Sequence, residues 1–354
     1  MRTVRPDPAD TADARRRWGR WLLGLALAGL VAFVLVSVVA GLSDGADALS
    51  RAEPAWLLVA ALAEVVAYLL LATQLRRLLG ADLLVPRGTA LRLAMVLCGF
   101  GCVTPASPAE GMVITGRELR RRGVPMRRVT VTLSTAEFVS ALGMVALAAV
   151  NVVIAALLAH LPAAATYPLV GVAVTALAVL AAVDLLARRP RVAERVAVLL
   201  GALCVWRARA PVEERRAAGA AWQHDADGVL GSTGHRIVLL GISAAAWLAD
   251  AVCLYCALLA LGVTLPFDVV LLAYTAGVVA TLVPLIPAGL GLVEAAVPLV
   301  LHGFGAPLGA ALAAVLVYRC VSTLLPAGIG VACIPGLTPR RGGAPVPLLA
   351  RPAP

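Results

Sequence analysis

The sequence predicts an all-α polytopic membrane protein with about six full transmembrane helices and two re-entrant helical hairpins, arranged as an inverted internal repeat. Three observations predict that fold. The 354 residues are 61% hydrophobic and only 14% charged, with a mean hydropathy of +0.93, too apolar for a soluble globule. Several apolar runs reach the roughly 20 residues that a helix needs to cross the hydrocarbon core. Glycine and proline landmarks also recur at one fixed offset, the mark of a repeated unit.

The continuous runs 18–40, 55–75, 129–159, 167–187, 237–261 and 307–333 are read as full crossings. The first follows a basic stretch, "RRRWGRW", as a secretory signal would. Its apolar core, Trp21 to Ala40, is too long for a signal h-region, so an uncleaved helix is expected. Two further apolar regions, 89–118 and 268–300, are interrupted by "GFGCVTPASPAEG" and "VPLIPAGLG". Proline removes a backbone donor and disfavours helix at the residue before it, so each region should be two half-helices meeting at a turn. Pro105, Pro108 and Gly111 are expected to make the first turn, and Pro287, Gly289 and Gly291 the second. Irregular backbone survives at bilayer depth only when buried in protein or lining a wet cavity, so both regions are read as re-entrant.

Charge placement sets the orientation. All thirty basic residues are arginine, the formal charge is +10, and cytoplasmic loops should hold the excess. Arg15, Arg16, Arg17 and Arg20 put the N-terminus inside, and Arg76, Arg77, Arg87, Arg117, Arg120, Arg121, Arg122, Arg127 and Arg128 bring the first hairpin in from the cytoplasm. The loops "HLPAAAT" and "GVTLPFD" carry no arginine and belong outside, whereas Arg340, Arg341 and Arg351 keep the tail inside. The expected organisation is a cytoplasmic basic N-terminus (1–17), a transmembrane domain (18–334) and a cytoplasmic Pro-rich tail (335–354), in the plasma membrane. The repeat halves span about 55–159 and 237–334, separated by an Arg-rich cytoplasmic segment, 188–236, whose short amphipathic stretch suits a helix on the inner leaflet.

The repeat rests on one offset. Gly80 and Gly262, Pro105 and Pro287, Gly123 and Gly305, and Pro125 and Pro307 each differ by 182 positions (262 less 80, and so on). "GVPMRRVTVTLSTAE" thereby lies over "GAPLGAALAAVLVYR", aligning Glu137 with Arg319. The second and fifth crossings correspond and are three steps apart, and an odd step inverts the unit. Inverted repeats with broken helices are a transporter architecture.

Ionisable groups at bilayer depth cost several kcal/mol unless paired or wet, so each is a functional candidate. Glu137 and Arg319 sit at similar depth as repeat equivalents, where an ion pair between them is expected. Glu294 opens the second half-helix of one hairpin, and Glu110 with Arg117 does the same in the other. These five are the candidate substrate-binding residues, and the alternative is a structural role holding the hairpins in the bundle. Glu64 and Asp250 could face a cavity or an interface; His160 and His302 suit solvated ends. "CLYC" at 253–256 lacks a second pair or a histidine, and "HDADG" at 224–228 has no room for a transferase domain. No metal, other cofactor or catalytic residue is therefore expected. Nucleic acid is excluded as a partner, because the arginines flank apolar spans and do not interleave with aromatics.

At "TPASPAEG" followed by Arg117 and "RRRGVP", and at "PAGLGLVEAA" followed by "GFGAP" and "YR", the sequence resembles the transmembrane-region family of lysylphosphatidylglycerol synthase, including the flippase domain of multiple peptide resistance factor. The resemblance covers roughly 20–335 and implies a multi-spanning domain that handles charged phospholipids or lipid-linked sugars. It carries Glu110, Arg117, Glu294 and Arg319 onto the family's motif positions. Relatives commonly show Glu-Arg in the span after the first hairpin, whereas this chain has Glu137-Phe138. The expected function is a flippase-like lipid translocator and not an enzyme, its partners being membrane lipids, an anionic phospholipid or lipid-linked sugar, with homo-oligomerisation left open. The alternatives are an accessory or scaffold subunit of a lipid or cell-envelope glycolipid pathway, and a membrane enzyme acting on a polyprenyl-linked substrate.

Overall fold

The computed structural model describes residues 52–80, 85–99, 108–158, 228–281 and 291–337, together with 160, 169–171, 173–175 and 178. The main elements among these are helical: α1 (Pro54–Leu79), α2 (Arg87–Gly99), α3 (Pro108–Arg121), α4 (Met126–Leu157), α5 (Thr233–Ala260), α6 (Phe267–Thr281), α7 (Leu292–Gly303), α8 (Leu308–Arg319), a π-helical segment (Cys320–Leu324) and α9 (Leu325–Leu337). Four stretches are long and apolar enough to cross a membrane: α1, α4, α5 and the continuous run Leu308–Gly330. They coincide with four of the six expected crossings. The other two, 18–40 and 167–187, lie outside the described residues or nearly so, as do the signal-like N-terminus, almost all of the 188–236 segment and the tail.

Each helix begins and ends where its residues dictate. Pro54 stands in the first turn of α1, where its missing N–H is no loss. Ser232 caps α5 by accepting from the His235 N–H at 3.3 Å. Helix ends fall on glycines in the left-handed region, Gly80 (φ 91) and Gly123 (φ 88) in the first half and Gly262 (φ 74) and Gly305 (φ 98) in the second. These four are two pairs at the 182-residue offset. The turns around them share their hydrogen bonds: Val124 N–H donates to Leu119 C=O as Ala306 N–H donates to Leu301 C=O, each at 3.1 Å.

The broken regions resolve into helix pairs. Within 89–118, α2 packs on α3, and within 268–300, α6 packs on α7, with the segments between them (100–107 and 282–290) outside the described residues. Pro105, Pro287 and Gly289 fall there. The expectation that Pro108 and Gly111 make a turn is corrected: both lie in α3, Pro108 as its first residue. Proline is tolerated in a first helical turn. Gly111 is needed there because α3 crosses α2 closely, and a Cβ at 111 would strike the Leu97 carbonyl. Gly291 (φ 83) is the N-cap of α7.

The two halves interlock. The helices α1 and α5, aligned by the 182-residue offset, make the most extensive helix contact among the described residues. They run antiparallel, because Glu53 N–H at the start of α1 donates to Ala260 C=O at the end of α5 at 2.9 Å. Around them the partners exchange: α9 packs on α2 while α4 packs on α6. One apolar core lies among α5 to α8 with Ala60 and Met144, and a second among α1 to α4. Small residues let α4 and α5 approach, since a Cβ on Gly143 would meet the Ser243 side chain. Trp247 Nε1–H then donates to the Ser140 carbonyl at 2.9 Å across that contact. On the outside, α1 leaves Leu58, Leu62, Val65, Val66 and Leu69 exposed, an apolar face suited to lipid.

Candidate functional site

The candidate site lies among α1, α5, α7 and α8, at mid-depth of the long helices. Glu64 is ten residues into α1, about 15 Å along it at ~1.5 Å per residue, and Arg319 is at a comparable depth in the run that begins at Leu308.

Glu294 and Arg319 come together. The Arg319 guanidinium donates through Nε to Glu294 Oε1 at 2.9 Å, and the two side chains are only 13% and 10% exposed. Local sequence holds each partner. Gly291 takes a backbone conformation that side chains resist and donates its N–H to Glu294 Oε2 at 2.6 Å, so the carboxylate caps the helix it opens. Pro298 lies inside α7 and offers no N–H to the carbonyl of Glu294 four residues earlier. Arg319 ends α8 where the backbone widens into the π-helical segment, and its Nη1 donates to Thr323 Oγ1 at 3.2 Å. Short π segments inside α-helices recur at functional sites. Each carboxylate oxygen of Glu294 thus accepts a hydrogen bond.

Beside this pair lies a polar cluster that the sequence alone left undecided. Asp250 Oδ2 accepts from Tyr274 OH at 2.7 Å and from Tyr318 OH at 3.2 Å. Glu64, only 7% exposed, brings its carboxyl within hydrogen-bonding reach of Asp250, and the Arg319 charge also acts on Asp250. One oxygen of each carboxyl, Glu64 Oε2 and Asp250 Oδ1, is buried with no hydrogen-bond partner among the described residues. Trp247, Tyr274 and Tyr318 stand edge-on in series, with ring centroids 6.4 and 6.5 Å apart, and wall the cluster. The sequence signal available was one carboxylate in each of two corresponding crossings; what it lacked was the antiparallel pairing that brings them face to face.

The other expected site residues stand apart. Glu137 is exposed on α4 and makes no ion pair among the described residues, so the expected Glu137–Arg319 pair is replaced by Glu294–Arg319. The reason is helix geometry: α7 and α8 are consecutive and packed, which places Glu294 next to Arg319. Arg117 is exposed on α3, likewise without an ion pair there, and Glu110 lies in the first turn of α3. Glu118 of that helix is buried and pairs with Arg122 at 2.7 Å. His160, expected at a solvated end, bonds through Nδ1 to Asp268 Oδ2 at 2.7 Å, while Asn151 donates to the Asp268 carbonyl at 2.9 Å. Among the described residues no group of three or more His, Cys, Asp or Glu side chains is placed to hold a metal ion.

Two comparisons bear on this arrangement. A search of individually curated proteins finds no match. The family model described as the lysylphosphatidylglycerol synthase TM region matches residues 21–330.

Proposed function

Because this chain belongs to the lysylphosphatidylglycerol synthase transmembrane-region family, we propose that it is a lipid translocator that passes a charged headgroup through the polar mid-depth of its bundle. The observation that carries the reading is the Arg319–Glu294 pair, set beside Asp250 and Glu64 where a bilayer offers no water of its own. Arg319 receives the headgroup phosphate as Glu294 lets go, and Glu294, still capped by Gly291, balances the charge or meets an amine. Tails stay in lipid along the exposed apolar faces. The substrate class is an anionic phospholipid or lipid-linked sugar.

The 182-residue correspondence of turns and the antiparallel α1–α5 contact support an inverted-repeat unit. In this reading the α2–α3 and α6–α7 pairs are re-entrant hairpins entering from opposite sides, in a plasma membrane with both termini cytoplasmic. Arg117 and Glu110, on the cytoplasmic hairpin, make first contact with the incoming headgroup; no bond is made or broken in the lipid.

The test is reconstitution of the purified full chain in vesicles carrying a fluorescent phosphatidylglycerol analogue, with leaflet exchange followed by a membrane-impermeant quencher. Faster exchange than in protein-free vesicles, lost in Glu294→Gln with Arg319→Ala, is the expected result. Equal rates for wild type and the double variant refute it. The closed geometry of the pair favours one other reading, a scaffold whose charges only fix helix packing, which predicts loss of stability in single variants and no exchange in any of them.

A further inference from the structure

Two buried carboxyl groups facing each other have a chemical consequence that translocation alone does not use. In a low-dielectric site, two carboxylates within hydrogen-bonding reach cannot both ionise without large repulsion, and they share a proton. Here the remaining hydrogen-bond positions fit that state. Tyr274 and Tyr318 both donate to Asp250 Oδ2, leaving Oδ1 without a partner among the described residues, and Glu64 Oε2 is left in the same condition. One proton between the two carboxyls would satisfy what the phenols do not.

We propose that Glu64 and Asp250 form a proton-binding site whose occupancy is coupled to an anionic headgroup at Arg319. This rests on the translocation reading and adds its energy source. The coupling is a matter of charge. Arg319 acts on Asp250 and is also paired with Glu294. When an anion occupies Arg319, the guanidinium charge is spent on it and the carboxyl pair retains its proton. When the anion leaves, Arg319 again supports an ionised Asp250 and the proton departs. By linkage, protonation must then favour anion binding by the same factor. Headgroup and proton travel together, from the acidic side toward the alkaline side.

Among the described residues other ionisable groups lie on the elements packed around the pair, and Cys320 of the π-helical segment is exposed. On α5, Cys253 lies close to both carboxyls, and on α1, Tyr68 is one turn beyond Glu64. From α6 and α8 come the two tyrosines and Arg319, and from α7 Glu294. The α4 carboxylate, Glu137, is exposed on its helix. Of α2, which also packs on α1, Arg87 and Arg92 are exposed.

The experiment is infrared spectroscopy of the full chain in vesicles, titrated from acid to alkaline pH, which reads the carbonyl stretch of a protonated carboxyl directly. In neutral phosphatidylcholine the wild type is expected to show, over the bands of its other carboxyls, a component that is lost as pH rises and is missing from the spectrum of Glu64→Gln/Asp250→Asn. With phosphatidylglycerol in the vesicles, the loss is expected to move to higher pH by about one unit, a tenfold coupling within the usual range. Identical spectra for wild type and double variant overturn the proton site. A wild-type band indifferent to phosphatidylglycerol, or one that shifts no further than in Arg319→Ala, overturns the coupling, because the vesicle surface charge moves every carboxyl alike. A band abolished by sodium at fixed pH reassigns the pair to a metal cation and also overturns it. If the fluorescent lipid fails to exchange while the band shifts with phosphatidylglycerol, the site stands and translocation fails. If exchange proceeds and no band titrates, translocation stands and the proton site fails.

Discussion

Removing Arg319 and Glu294 singly and together separates the energy of their ion pair from what each does alone. Deleting one partner of a buried pair typically costs about 3–5 kcal/mol, since the other charge is left without compensation. The two partners here are not equivalent. After Arg319→Ala, the Glu294 carboxylate still accepts from Gly291 N–H and remains at the positive end of α7. After Glu294→Ala, Arg319 retains Thr323 as a neutral acceptor, and the Gly291 N–H loses its acceptor as well. An unsatisfied buried donor adds about 1–3 kcal/mol, so Glu294→Ala is expected to be the more destabilising single change. The double variant removes both charges and should lose less than the two singles together, by a coupling of about 1–3 kcal/mol. Thermal unfolding of the detergent-solubilised chain reads all four corners of this cycle. Additivity within about 0.5 kcal/mol, or a larger loss for Arg319→Ala, would refute the geometry argued above. Measured beside lipid exchange, the cycle also decides between translocator and scaffold: a double variant that regains stability but never exchanges lipid identifies the pair as functional.

Three other outcomes are expected. Gly277→Ala should destabilise the chain by about 1–3 kcal/mol in the same unfolding assay, because its Cβ would stand 2.6 Å from Val297 Cγ2 and force α6 off α7. Gly111→Ala should be at least as damaging, since the obstacle is the Leu97 backbone, which cannot rotate away as a side chain could; an unchanged melting temperature would refute the close α2–α3 crossing. Tyr274→Phe removes the shorter of the two phenol bonds to Asp250 and should lower stability by about 1–3 kcal/mol, whereas Tyr318→Phe, at 3.2 Å, should matter less; the reverse order would contradict the site as drawn.

The long helices were legible in the sequence because apolar length and flanking arginines carry a strong signal, and α1, α4 and α5 begin and end within a few residues of the predicted runs. The recurring turns were legible for a related reason. Left-handed turn positions accept few residues other than glycine, so Gly80, Gly123, Gly262 and Gly305 stay visible after the apolar positions between them have drifted. Proline was the misleading signal. It reads as a breaker, yet at the start of α3 it initiates a helix, and Gly111 behind it serves a helix crossing and not a turn. Pairing of charges was not legible at all. Offset alone matched Glu137 with Arg319, but a repeat relation says which residues occupy equivalent places, not which ones touch. The Glu64–Asp250 meeting depends on the antiparallel α1–α5 contact, and the π-helical segment beside Arg319 leaves no mark in composition.

Applied to the charges, the 182-residue offset puts Ala246 opposite Glu64, Tyr68 opposite Asp250, Met112 opposite Glu294 and Glu137 opposite Arg319. The backbone turns are repeated, but no ionisable pair is. A bundle that needed charges only to hold its symmetric halves together would gain from placing them at both copies, since the packing problem is the same in each. Among the described residues the cation of this cluster, its ion-pair partner Glu294 and the carboxylate that accepts from two phenols all come from α5 to α8, and the first half contributes Glu64. Chemistry concentrated on one side of a scaffold whose turns recur is what a single binding site requires. It also makes Glu64 the link between halves: any rocking of α1 against α5 changes its distance to Asp250, and with it the proton that the two carboxyls can share.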